Sequence, residues 1–595
     1  MLSGFIRLSL ALSILMISAC SMAPKKPQGL ASGDYTYVKE YLSWLIKKEM
    51  KKAKVPAISI ALVDDQRLVW SAGFGFADVE KQKPADGKTL YRAGSISKLF
   101  TATAAMQLSE QGLMDIDAPL QKYLPAFKIK SRYESSGPIT PRTIMTHHSG
   151  LPDSRLKGMW SKQAGSFTHL VEQIQDDYVA LPPDTAFQYS NLGFSLLGHA
   201  VAQVAEQEYA QYMDQVLLQP LHMHDSTFRL SMTYPAGMAK GYRDGKEQEL
   251  VGLVDIPAGA LLTSVDDLSE FVKMVFANGE IHGKQIIKPE TLAAMLTRQN
   301  SDVELDFDLQ TGLAWFLNPL SEEVTQRTAS HAGGTLLYQS QLALLPDSKL
   351  GVVVMCNTAA GRGAIDKIAS EALKLALESK TGKISEKIKK APLPKLVDKL
   401  ETPPFPLEGF YSGDTGLIEI IRDGKHYKAK AIGKSLYLKA HEGGWLSPHY
   451  RLLGFIPMPI SELNKLLIKP LQFDGRQVLM VKANGKQFLL AEKINKKPIP
   501  ASVKPWLGDL RIRNPDPAVM IEDIKLSIES GLMIISYRIP VFEETVRTAF
   551  MPVSDNEWIR VGIGRGMGET IKVKSRDGHA YLYYSGYEIV KAGDD

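Results

Sequence analysis

Apolar and polar positions change their period several times along the chain, and each change marks a different kind of element. Ala57 to Val63 and Leu68 to Phe74 are apolar runs around Asp64-Asp65-Gln66, a pattern that predicts a hairpin. Leu99-Phe100-Thr101-Ala102-Thr103-Ala104-Ala105-Met106 is almost wholly apolar. It predicts a buried helix that runs to about Gly112, a natural C-terminal stop. Leu192 to Val204 reads as an amphipathic helix after the turn-rich Leu181-Pro182-Pro183-Asp184-Thr185. Leu336 to Leu345 and Gly351 to Met355, joined by Pro346-Asp347-Ser348-Lys349, form a second predicted hairpin, and a closing helix follows over about Ile365 to Leu377.

From about residue 405 the period becomes two. Leu417 to Ile421 and His426 to Ala429 flank Asp423-Gly424, Val478 to Lys482 and Gln487 to Ala491 flank Asn484-Gly485, and Ile571 to Lys574 and Tyr581 to Tyr584 flank Asp577-Gly578. Asp-Gly and Asn-Gly between alternating runs are strong hairpin signals, so residues 405–595 read as mainly antiparallel β, one or two small barrels. Trp506-Leu507-Gly508-Asp509 faintly echoes Phe410-Tyr411-Ser412-Gly413-Asp414, a thin hint of duplication. Leu452 to Ile460 is unusually apolar and carries two prolines, which exclude a transmembrane helix. It reads as core or domain interface, or alternatively as a wall over the active site.

With 595 residues, the chain exceeds what one core holds, and two or more domains are expected. Hydrophobic content of 44% and charged content of 23% are ordinary for a soluble protein. A net charge of +5 is mild, and no motif points to nucleic acid. Between the α/β region and the β region, residues 380–404 are rich in lysine and close on Pro403-Pro404-Phe405-Pro406. They read as a solvated linker, or alternatively as a lipid-headgroup patch.

Three places carry candidate chemistry. Ser95-Ile96-Ser97-Lys98 stands at the mouth of the apolar helix. Residues three apart share a helix face, so the Lys98 amine can reach the Ser95 hydroxyl. A lysine among apolar side chains loses affinity for its proton, which gives a hydroxyl beside an amine base. The helix N-terminus adds N–H groups that suit a developing oxyanion. Tyr189-Ser190-Asn191 puts a phenol and a carboxamide two apart on a short loop before a helix, and His331-Ala332-Gly333-Gly334-Thr335 leads into the second hairpin. Paired glycines at a strand start let another backbone or a ligand come close. Taken singly, Ser95 is also an ordinary N-cap and His331 a hydrogen-bonding strut.

In order and spacing these elements resemble the serine β-lactamase and penicillin-binding-protein superfamily, whose signatures are Ser-x-x-Lys, Ser-Asp-Asn and Lys-Thr-Gly. Tyr-x-Asn in second place and His-x-Gly in third resemble the class C β-lactamase branch with its esterase, D-aminopeptidase and DD-peptidase relatives. Thr143 to Leu151, Leu218 to Met223 and Ala258 to Ser264 resemble further segments of that family, and the likeness covers roughly residues 35–378. It implies an α/β sandwich, a sheet with helices on both faces and a separate helical lobe, over residues 36–379. It implies lipocalin-like barrels only in layout for residues 405–595.

The resemblance also implies roles. Ser95, Lys98 and Tyr189 would be catalytic, Ser95 as nucleophile and the other two carrying its proton. The N–H groups of Ser95 and Gly334 would hold the oxyanion, and Asn191 would hold an amide or ester oxygen of substrate. Histidine at 331 departs from the lysine usual in enzymes that act on penicillins. Histidine titrates near neutrality, so an esterase or a peptidase/amidase is expected over an efficient β-lactamase. No cofactor is implied, and His222-Met223-His224-Asp225, two isolated histidines beside a family-conforming segment, makes no metal site. His147 and His148 fit a structural loop. The alternative class is a non-catalytic cell-envelope binding lipoprotein that keeps the fold.

The amino terminus carries its own expectation. Arg7 followed by Leu8 to Ile17, and then Ile17-Ser18-Ala19-Cys20, resembles a bacterial lipoprotein signal over residues 1–19, with Cys20 taking the lipid and residues 20–35 as a tether; the alternative is a plain signal peptide with an incidental cysteine. Ser21 resembles lipoproteins sent to the outer membrane, so a periplasm-facing envelope protein held to the membrane by its lipid is expected. With Cys20 acylated, Cys356 has no partner and reads as a buried, unreactive thiol.

Overall fold

The computed structural model describes residues 22–593 apart from 28, 135, 162–163, 325, 384–391, 432, 453–455, 459–462, 517–520 and 541–543. The proposed signal segment and Cys20 therefore lie outside the described residues, as does most of the apolar stretch Leu452 to Ile460. Of that stretch, Ile456–Met458 forms a short strand on Trp445–Leu452. No helix among the described residues is long and apolar enough to cross a membrane.

Strand β1 (Ala57–Asp64) is buried along its whole length, because both faces of its sheet are covered. Period two sorts its side chains. Ile58, Ile60 and Leu62 join one core with helix α1 (Thr36–Ala53) and the closing helix, whereas Ala57, Ala61 and Val63 join the other with the helical lobe. β1 pairs antiparallel with β2 (Arg67–Asp78) through the expected hairpin, Asp64 opposite Arg67. Its other edge takes the strands that return late in the chain. β3 (Ala329–Gly334), β4 (Gln339–Leu345) and β5 (Leu350–Cys356) give the order β3-β4-β5-β1-β2. The hairpin from β4 to β5 closes at Leu345 and Leu350, three residues later at its start than the apolar run, since Leu336 to Tyr338 form the bend after β3. Cys356 ends β5, fully buried and unpaired, and burial pushes its thiol up to about 11.

The apolar helix α2 spans Ser97–Glu110 and is buried on nearly every side, as a helix hydrophobic all round must be. Phe100 stacks on Phe271 at 4.5 Å. Helix α3 (Asn191–Val204) lies beside it, and α4 (Arg362–Thr381) closes the domain on the first core. The closing helix thus runs through residue 380, where Lys380 Nζ reaches Asp64 at 2.5 Å. Residues 395–401 run along the β region: Val397 N–H donates to Ala440 O at 3.0 Å and Leu400 is buried against its core.

The β region is two closed barrels of the lipocalin-like, up-and-down kind. In the first, eight strands from Gly409–Gly413 to Lys486–Lys493 form a ring, which the pairing of Lys434–His441 with Trp445–Leu452 completes. The second runs from Gly508–Ile512 to Tyr587–Lys591. The faint sequence echo falls at the opening strand of each. Asn484-Gly485 and Asp577-Gly578 turn with φ positive at both residues, the geometry of a type I′ hairpin. At the third hairpin Asp423 still pairs with His426, so the turn is Gly424-Lys425, with positive φ at the glycine. That shifts the expected turn by one residue.

Both barrels dock on the α/β domain. Ala180, Leu181, Ala186 and Leu305 of the lobe share a buried cluster with Val478 of the first barrel and Ile563 and Met567 of the second. Around it, Lys130 and Tyr178 both reach Glu557, at 3.1 and 2.8 Å.

Candidate active site

Ser95 does not open the α-helix. It sits in the tight turn Gly94–Ile96, and α2 begins at Ser97. This corrects the expected helix mouth by two residues but leaves Ser95 and Lys98 one turn apart. The turn is held from three sides. Ser97 Oγ donates to Gly94 O at 2.7 Å and accepts from Leu261 N–H at 3.0 Å, and Ser340 Oγ donates to Ala93 O at 2.6 Å. Gly94 has φ +56°, and a Cβ there would lie 2.6 Å from Gly334 N, so only glycine lets β3 pass this close. The paired glycines of β3 thereby bring Gly334 against the turn that carries Ser95, and both line one cavity.

Lys98 is fully buried and its Nζ has three oxygen neighbours: Ser95 Oγ at 3.1 Å, Asn191 Oδ1 at 2.7 Å and Ala258 O at 2.8 Å. Two of these, the carboxamide oxygen and the backbone carbonyl, can only accept. Burial pulls the ammonium down to about 7; Arg565 acts in the same direction, and Asp255 and Asp153 oppose it. A neutral amine spends its two N–H groups on the two acceptors and is left with its lone pair toward the serine hydroxyl. The Lys98 amine also lies 4.9 Å from the Tyr189 ring centre.

Tyr189 and Asn191 reach the same place because Ser190 between them faces inward. Ser190 is extended (φ −136°, ψ 115°) and N-caps α3, its Oγ accepting from Gly193 N–H; it donates to Pro152 O at 2.6 Å. In extended chain, residues two apart share a side. Burial pushes the Tyr189 phenol up to about 12, and the neighbouring Ser95 hydroxyl pulls the other way by less. The phenol stays protonated at neutral pH. Asn191 is engaged with the lysine in addition to the substrate role expected of it. Its Oδ1 accepts from Lys98 and its Nδ2 donates to Asp153 Oδ1 and Ser154 Oγ, both at 3.1 Å, so its carboxamide positions the lysine.

His331 takes its expected place in the site but not the titration near neutrality expected of it. It is 2% exposed, and burial, followed by the charge on Lys98, pulls it down to about 3. It is neutral at pH 7 and supplies no charge. Its Nδ1–H donates to Ala332 O at 2.7 Å, leaving Nε2 as a buried acceptor with no partner among the described residues. The ring lies edge-on to Phe316 and lines the cavity with Ser95.

Sequence reasoning missed four contributors. His147, assigned no chemistry, stacks on Tyr189 at 4.1 Å and accepts from Ser190 N–H at 3.1 Å; its positive φ of 61° comes with a sharp turn that local pattern does not reveal. Asp255 is buried, pushed up to about 6 by that burial, and takes a hydrogen bond from Ser195 at 3.0 Å. Asp153 links Asn191 to Arg565, whose Nε lies 2.8 Å from Asp153 Oδ2. Arg565, from the second barrel, sets its guanidinium 5.2 Å from the Tyr189 ring centre. Only Arg565-Gly566 within Gly562-Ile563-Gly564-Arg565-Gly566-Met567-Gly568 hinted at a special loop, through its glycine spacing. The histidines His222, His224 and His282 stack on one another, at 5.4 and 3.8 Å from His222, and no group of metal-holding residues occurs among the described residues.

A Ser-x-x-Lys turn laid between a lobe-borne tyrosine and the glycine edge of an antiparallel sheet is the site of the penicillin-recognising fold. The chain belongs to the beta-lactamase family, whose model matches residues 42–376. Among curated proteins it is similar to Protein flp of Staphylococcus aureus strain MRSA252, 24% identical over 53% of this chain and 62% of that one. It is also similar to a human beta-lactamase-like protein, 27% identical over 53% and 64% of the two chains. It therefore spans under two thirds of the length of these relatives. Among solved structures, the octameric penicillin-binding protein homologue from Pyrococcus abyssi has a TM-score of 0.51 at 24% identity, covering 75% of this chain and 99% of its own. SurE in complex with D-Leu has a TM-score of 0.55 at 20% identity, covering 76% and 98%. These structural likenesses reach past the family match into the β region and concern the fold.

Proposed function

We propose that this protein is a serine hydrolase that cleaves an ester or amide bond through an acyl-enzyme. One observation carries this reading: the buried Lys98 amine lies 3.1 Å from the Ser95 Oγ, and its other two oxygen neighbours can only accept, so the neutral amine turns its lone pair to the hydroxyl. Lys98 takes the Ser95 proton as Oγ bonds to the substrate carbonyl carbon. The oxyanion meets the N–H groups of Ser95 and Gly334, in keeping with the family pattern. Tyr189, still protonated, gives its proton to the leaving oxygen or nitrogen as that bond breaks, and Lys98 restores the proton to Tyr189. Water then cleaves the acyl-serine along the reverse route. Positioned acid–base groups contribute ~10²–10⁴-fold, and each oxyanion donor ~10²–10³-fold.

The neutral His331 bears on substrate. Its bare Nε2 suits a hydrogen-bond donor, such as an amide N–H, where a permanent cation would suit a carboxylate. This favours a neutral ester or amide over a β-lactam. A fluorophosphonate probe tests the reading: it labels the wild type, and Ser95→Ala abolishes labelling. Labelling that survives the substitution, or none on folded wild type, overturns the proposal in favour of a binding protein.

A further inference from the structure

The cavity that holds Ser95 does not end at the catalytic groups. It measures about 1560 Å³, and its far lining is the inside of the second barrel, including Leu510, Ile524, Ile535, Phe550 and Leu582. An eight-stranded barrel either fills its interior with side chains or holds one small ligand. Here most inward positions are aliphatic or aromatic, with the charged Arg560 and Glu569 among them, and space remains that is continuous with the nucleophile. Pockets for drug-sized ligands run to ~300–1,000 Å³, so the volume exceeds what a small acyl group needs.

A polar collar lies along this cavity. Arg560 Nη1 pairs with Glu569 Oε2 at 3.2 Å, and Tyr584 donates to the same carboxylate. Arg560 Nε is buried with no partner among the described residues, a vacancy that in a native fold calls for an explanation. Gly566, next to the Arg565 that reaches Tyr189, lies against Arg560: a Cβ on it would be 2.8 Å from Nη1. The loop that completes the catalytic site and the collar are thus one construction.

We propose that the lumen of the second barrel binds an extended aliphatic chain of the substrate, so that the scissile carbonyl rests at Ser95 while the chain passes the collar. This deepens the hydrolase reading and rests on it. A molecule in the lumen has its open end at Ser95, which is why the occupant is substrate and not a separately stored lipid. Burying a methylene is worth about fourfold in affinity, and the lumen has the lining to collect it repeatedly.

Two matched series on the full-length protein locate the chain: p-nitrophenyl esters of lengthening acyl groups, and acetates of lengthening alcohols. The expected result is a rise in kcat/KM of about fourfold per added methylene over the first several carbons in one series. The series that rises shows whether the chain enters with the acyl or the leaving group. Ile535→Trp, which narrows the lumen, is expected to flatten that rise. Should this variant fail to fold, Ser95→Ala protein with a diazirine-tailed long-chain ester gives the second measurement, with photo-adducts expected on strand residues lining the lumen. Hydrolysis of p-nitrophenyl acetate with flat profiles in both series overturns the lumen proposal and leaves the hydrolase standing. Absence of turnover with every ester, together with adducts in the lumen, overturns the hydrolase and keeps the lumen as a chain-binding site. Adducts confined to the outer surface overturn it.

Discussion

Lys98 sits between charges that push its proton affinity in opposite directions, and this makes the amine adjustable one residue at a time. Asp255 and Asp153 favour the ammonium, whereas burial and Arg565 disfavour it. As a base, Lys98 works when neutral, so kcat/KM rises with pH through a midpoint near 7. Asp255→Asn removes a charge that retains the proton and is expected to move this limb to lower pH. Arg565→Ala removes an opposing charge, frees Asp153, and is expected to move it to higher pH. A pH series on the two variants with one ester checks both signs. The contact between Ser95 and Lys98 was legible from their spacing of three, whereas Tyr189 entered through the resemblance of its Tyr-x-Asn to the family's second motif, since spacing relates it only to Asn191. The charges that tune them were not. Asp153, Asp255 and Arg565 come from three distant segments, and nothing local marks an aspartate that will be buried. The neutrality of His331 was equally hidden, since it depends chiefly on burial, with Phe316 against the ring.

Among elements, the contact between the Ser95 turn and β3 bears most on the site. Gly94 holds a left-handed conformation within reach of the Gly334 backbone. Gly94→Ala would cost about 1–2 kcal/mol for the conformation alone and would also push Gly334 away. The expected outcome is a domain that still folds, with a lower denaturation midpoint, and kcat reduced ~10²–10³-fold as one oxyanion donor is misplaced. Chemical denaturation and initial rates on the same sample check both parts. The strands and helices here followed from period and turn chemistry, as at Asn484-Gly485 and Asp577-Gly578. Where boundaries shifted, hydrogen bonding beat local pattern. Asp423 pairs with His426 rather than turning, and the Ser95 turn tightens before α2 because Ser97 bonds back to Gly94.

At the scale of the molecule, the second barrel delivers Arg565 to a site whose nucleophile, Ser95, lies 470 residues earlier in the chain. Its loop is pinned by Met567, buried against Ala180, Leu181 and Ala186, whose backbone carbonyl accepts from Gln188 at 3.2 Å. Met567→Ala removes that anchor at a cost of about 2–5 kcal/mol to local packing. It is expected to shift the acid limb upward as Arg565→Ala does, although Arg565 itself is intact; an unmoved limb would show that the loop holds its place without Met567. Two-residue periodicity announced the barrels, but their docking could not be read, because the contacting residues form no pattern in any one segment.

The central claim is that a neutral Lys98 activates Ser95, and the direct measurement is the rate of fluorophosphonate adduct formation on Ser95, followed by intact mass from pH 5 to pH 9. The predicted result is a single adduct mapped to Ser95 whose rate climbs to a plateau through a midpoint near 7. A rate independent of pH, or an adduct on another residue, would contradict it.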